Sequence, residues 1–169
     1  MKLFYKVLPL FIALPLFAGV KIGTVDLQQA LQESQSGKKA KEALEKEFNT
    51  RKSTIDKERT AFEKLQEDLQ KSAALLSKEA RGKKEAEMQQ KAMNLQKMVQ
   101  DSEMTMRQKE AEMTKPIIEG LRELLPDLSR KRGVDLVVEK NAGLLYAVDI
   151  SDMTEELIRL YDEKNKKKK

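Results

Sequence analysis

The chain has 169 residues, 33 Lys+Arg against 28 Asp+Glu, and no His, Cys or Trp. Without imidazole or thiol there is no Ser-His-Asp triad, no cysteine nucleophile and no zinc site of the usual type, which leaves only carboxylate, Lys or Ser chemistry. With 36% charged and 5% aromatic residues and a mean hydropathy of −0.62, the composition suits long solvated helices better than a large globular core.

The net charge of +5 sits at the two ends. Lys2 and Lys6 account for two of the excess charges and Lys166–Lys169 for four more, so the body between them carries −1 and the high pI is weak evidence for a polyanion partner. Residues 1–18 read as a secretory leader: a basic start, an apolar run from Val7 to Phe17 broken by Pro9 and Pro15, and cleavage expected near Ala18. As a helix that run would span only about 16 Å, roughly half of a bilayer's hydrocarbon core, which argues against a permanent anchor. No Cys follows it to carry a lipid.

From Lys21 to Asp26 the text KIGTVD predicts a short strand. Leu27, Ala30 and Leu31 then start a helical pattern, and beyond Gly37 it becomes heptads, with Phe48, Ile55, Phe62, Leu69 and Leu76 seven apart and Leu44 and Leu65 at companion positions. Glu42/Lys46, Glu67/Lys71, Glu79/Lys83 and Glu87/Lys91 are i, i+4 pairs in the favourable order, each worth about 0.2–0.5 kcal/mol to a helix in water. One continuous helix from Leu27 to Lys115 would be about 130 Å long with its seam uncovered, so a hairpin is predicted. Its tip is expected near residues 77–85, where Gly82 is the only breaker between Gly37 and Pro116. The returning arm carries Met88, Ala92, Leu95, Val99, Met106 and Met113 at helical steps, and Pro116 and Pro126 should bend or end its turns.

The last third turns apolar and β-rich, with Val134–Glu139 and Leu144–Val148 separated by Lys140-Asn141-Ala142-Gly143, a hairpin pattern. Asp152 and Glu155 predict a capping box opening a final helix that carries Leu157, Ile158, Leu160 and Tyr161. The predicted fold is therefore α+β and mostly α, with a small β-body built from both chain ends and a long coiled-coil-like hairpin inserted between them. Its parts are the leader (1–18), the N-terminal strand and helix start (19–36), the arm (37–115), the C-terminal part of the body (116–163) and a basic tail (164–169). Three short strands make a marginal core, which favours association.

Chemical motifs are sparse. The seven glycines provide neither GxGxxG nor GxxxxGK, and Ser36-Gly37-Lys38-Lys39 matches S-x-x-K without the companions that acyl transfer needs, so no catalytic, cofactor or metal residue is nominated. Six of the eight methionines fall between Met88 and Met113. Met88, Met106 and Met113 lie on the seam, whereas Met93, Met98 and Met104 spread around the helix. They serve either as gap-fillers or, at Met88, Met93, Met98, Met104 and Met106, as a polarizable surface for apolar clients. Lys78, Arg81, Lys83 and Lys84 place a basic cluster at the tip, either an ordinary solvated turn or a lure for acidic clients or anionic headgroups.

A leader, the KIGTVD strand, a charged helical hairpin, then Val134-Asp135-Leu136-Val137-Val138-Glu139-Lys140-Asn141, Tyr146 and Asp149-Ile150 together resemble the Skp/OmpH family of periplasmic chaperones over about residues 20–162. The family commonly has Asp-Ile-Thr ahead of its last helix, whereas here Asp149-Ile150 is followed by Ser151. The resemblance implies a jellyfish-like homotrimer whose strands form a joint body, from which three hairpins surround a cavity. It also implies an activity: holding unfolded outer-membrane β-barrel proteins in the periplasm without ATP. Ile22, Val25, Leu136, Val137, Val138 and Leu145 are then expected to build the oligomer body, with anionic lipid or lipopolysaccharide headgroups as further partners and no nucleic acid. A coiled-coil envelope scaffold with one fixed partner is the alternative that the same heptads would serve.

Overall fold

A computed structural model describes residues 19–72, 74–143, 146 and 150–166. The leader, Leu145 and most of the predicted Leu144–Val148 strand lie outside the described residues. Strand β1 (Ile22–Val25) is followed by helices α1 (Leu27–Glu33), α2 (Gln35–Ser72), α3 (Lys78–Arg122) and α4 (Leu125–Arg132), strand β2 (Leu136–Glu139), strand β3 (Ser151–Asp152) and helix α5 (Thr154–Lys166). The sheet order is β2-β1-β3, and both pairings are parallel. The first strand of the chain is thus central, clasped between two strands from its far end. Parallel neighbours need a crossover connection, and the crossover from β1 to β2 is here the whole of α1–α4.

One face of this sheet meets the helices. Val25 and Val137 point into a core with Ala30, Ile117, Leu121, Leu128, Met153, Leu157 and Tyr161, and Leu121, Leu128, Met153 and Leu157 are wholly buried. Each such side chain stabilises by about 1.5–3 kcal/mol relative to exposure. Neighbouring atoms crowd several glycines of the body, most severely at Gly37, where they are backbone. A Cβ on Gly23 would stand 2.7 Å from the methyl of Met153, and one on Gly37 would stand 1.6 Å from the carbonyl oxygen of Leu31. The second contact arises because the chain kinks at Ser34, between α1 and α2. Its hydroxyl donates to the Leu31 carbonyl (3.2 Å) and accepts from the Gly37 amide (3.1 Å), so α2 starts hard against the end of α1.

A polar latch closes the chain ends on each other. Asp26 caps α1 by accepting from the Gln29 amide (2.7 Å), while its own amide donates to the Thr154 hydroxyl (3.0 Å) and the Leu27 amide donates to Glu139 Oε1 (3.0 Å). Three amides that α1 leaves without intrahelical partners are thereby satisfied, two of them by residues from the other end of the sequence. The Thr154 hydroxyl in turn donates to Asp152 (2.6 Å), whose other oxygen accepts from Lys140 Nζ (2.9 Å). The predicted capping box takes another form here: Asp152 ends β3 and accepts from the Thr154 amide (2.9 Å), ahead of a helix that starts at Thr154.

The arm departs from expectation in two respects. The chain turns between Ser72 and Lys78, with Ser77 capping α3 through the Ala80 amide (3.2 Å), and Gly82 lies inside α3 with open space around it. The hydroxyl cap, not the glycine, sets the reversal, which moves the tip a few residues earlier. Pro116 lies inside α3, which continues to Arg122, and the residue whose carbonyl it deprives of a donor, Glu112, is exposed. Pro126 instead occupies the first turn of α4, which ends at Gly133 in the left-handed conformation (φ 64°).

Two outcomes follow. Gly37→Ala should lower stability by about 2–3 kcal/mol in chemical denaturation, against the gain of about 1 kcal/mol that alanine brings to an open helix position; an increase would contradict the close approach. The Asp152 carboxyl is held at about 2, below its ordinary 3.8, chiefly by the Lys140 ammonium and then by the Thr154 hydroxyl. A depressed folded-state pKa contributes stability above the unfolded value that is lost as pH falls through the folded one. The melting-temperature gap between the wild type and Asp152→Asn should therefore be constant above about pH 5 and shrink between about pH 4 and pH 2.

Candidate functional site

The arm is two antiparallel helices, α2 about 57 Å and α3 about 67 Å long at 1.5 Å per residue. Its seam is thin. Leu44, Ile55, Phe62 and Leu65 of α2 and Met88, Leu95, Met98, Val99, Met106 and Met113 of α3 are half-buried, and among the described residues of the arm between Ala40 and Met113 only Leu69 is buried. Phe48, predicted on the seam, is 54% exposed. A straight helix drifts about 20° per heptad, so a strict seven-residue row traced back from Leu69, its last member inside α2, has turned roughly 60° away from the partner by Phe48.

Charged residues occupy the seam position that Phe48 leaves. Glu47 accepts from Arg51 (2.8 Å) on its own helix and from Lys109 (3.1 Å) across the arm, and these contacts, Lys109 first, lower its pKa. Beside this cluster an open cavity of about 380 Å³ separates the helices, lined among others by Thr50, Thr54, Ile55, Met98, Asp101 and Ser102. The middle of the arm is therefore held by partly solvated polar contacts, which are individually weak. Of the four predicted i, i+4 pairs, Glu67–Lys71 and Glu79–Lys83 form.

The methionines divide by exposure. Met88, Met98 and Met106 are half-buried in the seam, whereas Met93 and Met104 are exposed on the outer side of α3. Met98 is thus closer to the seam than its spacing suggested. At the tip, Arg81 pairs with Glu85 (2.8 Å) and Lys83 with Glu79 (3.1 Å), while Lys78 and Lys84 lie outside any ion pair among the described residues. The four bases follow the turn on the first two turns of α3, beside Leu75, which is 88% exposed at the apex.

The oligomer-body residues also divide. Val25 is buried in the subunit's own core and Val137, partly buried, packs against it. Alternation along the strands puts Ile22, Leu136 and Val138 on the opposite face, outside the core that Val25 and Val137 join; Ile22 and Val138 are half-buried and Leu136 is 49% exposed. Sequence reasoning missed Met153 as a core residue and missed the latch of Asp26, Glu139, Asp152 and Thr154. Of these, only Asp152 was marked by its sequence pattern, as the start of a capping box.

Among the described residues no group of acidic side chains is arranged to hold a metal, and no helix is long and apolar enough to cross a membrane. The arrangement offers long, charged surfaces with scattered apolar side chains rather than an enclosed pocket.

Residues 21–161 match the model of the family described as outer membrane protein (OmpH-like). No curated protein matches the chain. Among solved structures, the chain is similar to a proposed OmpH-like outer membrane chaperone from Caulobacter crescentus CB15. The TM-score is 0.74 at 16% identity, over 87% of this chain and 86% of that one, a likeness of fold. With the family match spanning both chain ends and the whole arm between them, the chain belongs to the OmpH-like family of outer membrane proteins.

Proposed function

We propose that the chain is an ATP-independent holding chaperone of the periplasm, exported through its leader, that keeps unfolded outer-membrane β-barrel proteins soluble between its arms until they insert. The observation that carries this reading is the arm itself. It is a long helical pair whose stability rests on a thin, half-buried seam, with apolar Phe48, Met93 and Met104 standing in a charged surface. Such a surface gives many weak apolar and electrostatic contacts and no single essential one, which suits clients without fixed shape. The solved Caulobacter crescentus relative, described as a chaperone, supports the same reading. Holding needs no nucleotide, because binding the unfolded state shifts its equilibrium by mass action.

The working form is a trimer joined through the sheet face opposite the subunit core, with Ile22, Leu136 and Val138 at the contact. The small core of each subunit supports this, since a body of three short strands gains stability by association. The basic residues after the tip, Lys78, Arg81, Lys83 and Lys84, with Leu75 between the helices, draw in acidic clients or anionic headgroups over about a Debye length of 8 Å.

Light scattering of the mature chain should give the mass of three copies, rising by one client after mixing with a urea-unfolded barrel protein that stays in solution. A trimer that lets the client aggregate would overturn the holding function. Leu136→Asp with Val138→Asp should yield monomers that keep their helical content; an unchanged mass would remove the assigned interface. Replacing the four tip bases by Gln should slow client capture several-fold at low salt and little at 0.5 M salt, with equal rates at low salt contradicting the electrostatic role.

A further inference from the structure

We propose that the methionine row of α3, led by Met93 and Met104, is a site of reversible oxidation by hydroperoxides, and that its oxidation weakens the chain's hold on apolar clients. The second half of this inference rests on the holding function proposed above. The first half rests on composition and placement. With no Cys, Trp or His in the sequence, thioethers are the side chains most open to two-electron oxidants, and six of eight lie between Met88 and Met113.

Their exposure is graded. Met93 and Met104 are 58% and 61% exposed. They stand eleven residues apart, three turns plus about 20°, and so lie on one line of the outer face about 16 Å apart. Met98 borders the open cavity beside Ile55, and Met88, Met106 and Met113 are half-buried in the seam. Met153 has no exposed surface. Access alone therefore orders the reaction: the outer pair first, then Met98 and the seam, and Met153 last.

The step needs only the peroxide. A sulfur lone pair attacks the hydroxyl oxygen of the peroxide, the S–O bond forms as the O–O bond breaks, and the departing hydroxide (or alkoxide) takes the proton of the transferred hydroxyl to leave as water (or alcohol). Sulfur is oxidised by two electrons and the peroxide is reduced by two. The product carries a strongly polar S–O group where a flexible apolar side chain stood. At Met93 and Met104 this removes apolar contact surface without touching the packing between the helices, so the arm stays folded while its grip falls. A thiol-driven sulfoxide reductase returns the thioether and releases the oxygen as water, which makes the change reversible.

The test treats the full mature chain with increasing hydrogen peroxide and maps each methionine by the mass gain of about 16 Da per oxygen. The same samples then compete against aggregation of a urea-unfolded barrel protein. Met93 and Met104 should oxidise first and Met153 last. Once the outer pair is oxidised, the amount of chain needed to suppress aggregation should rise about three-fold or more, with circular dichroism unchanged and the effect reversed by sulfoxide reductases with dithiothreitol. The Met93→Leu, Met104→Leu double variant, compared with its own untreated sample, should lose little holding at the same peroxide dose. Oxidation of Met153 as fast as Met93, or undiminished holding with both outer methionines oxidised, would overturn the inference. If the untreated chain holds no client, the holding function falls and this inference with it; if treated and untreated chains hold equally, only this inference falls.

Discussion

The parallel clasp of β1 between β2 and β3 is the constraint on which the rest of the molecule depends. Because β1 comes from the beginning of the chain and its neighbours from the end, the sheet forms only when the two chain ends meet across the whole arm. The same closure satisfies the free amides at the start of α1, through Thr154 and Glu139, and brings Met153 and Leu157 beneath the sheet. Closing a long loop adds only slowly to the entropy cost, so an arm of this length is compatible with a small body. The arm can vary in length and surface without disturbing the clasp that carries it.

Stability is accordingly uneven. The body collects the wholly buried side chains, whereas the arm is held by a half-buried stripe interrupted by Glu47, Arg51 and Lys109. A seam of this kind resists separation weakly at each point, and contacts of that strength open locally well before the whole chain unfolds. For the holding function proposed above, such local opening would let the surface follow clients of no fixed shape. The exposed Phe48, Met93 and Met104 then offer apolar contact that does not have to be withdrawn from a core.

Much of the architecture was legible because the hydrophobic period changes with it. Period two at KIGTVD, helical steps from Leu27 to Met113, and β-rich text at Val134–Glu139 locate the body and the arm in order. The parallel pairing was not legible, since local text marks strands but not which distant strand each will meet. The seam register near Phe48 was lost because a seven-residue row and a 3.6-residue helix diverge by about 20° per heptad. The tip was placed late because Gly82 looked like the breaker, whereas the Ser77 hydroxyl makes the reversal. At Val25 and Val137 alternation identified two faces of the strands but not which one the helices would cover. The latch eluded the sequence for a related reason: Asp26, Glu139, Asp152 and Thr154 are ordinary polar residues until closure brings them together.

Native-state hydrogen exchange, resolved by residue, tests the central claim that a closed body carries weakly held arms. Amides of Gly23–Val25 and of the buried turn from Leu157 to Tyr161 should exchange only through global unfolding, with the full denaturant dependence of that transition. Amides between about residues 48 and 105 should exchange through smaller openings of distinctly lower free energy and weak denaturant dependence. Equal protection along the arm and the body, or an arm more protected than the body, would contradict the account.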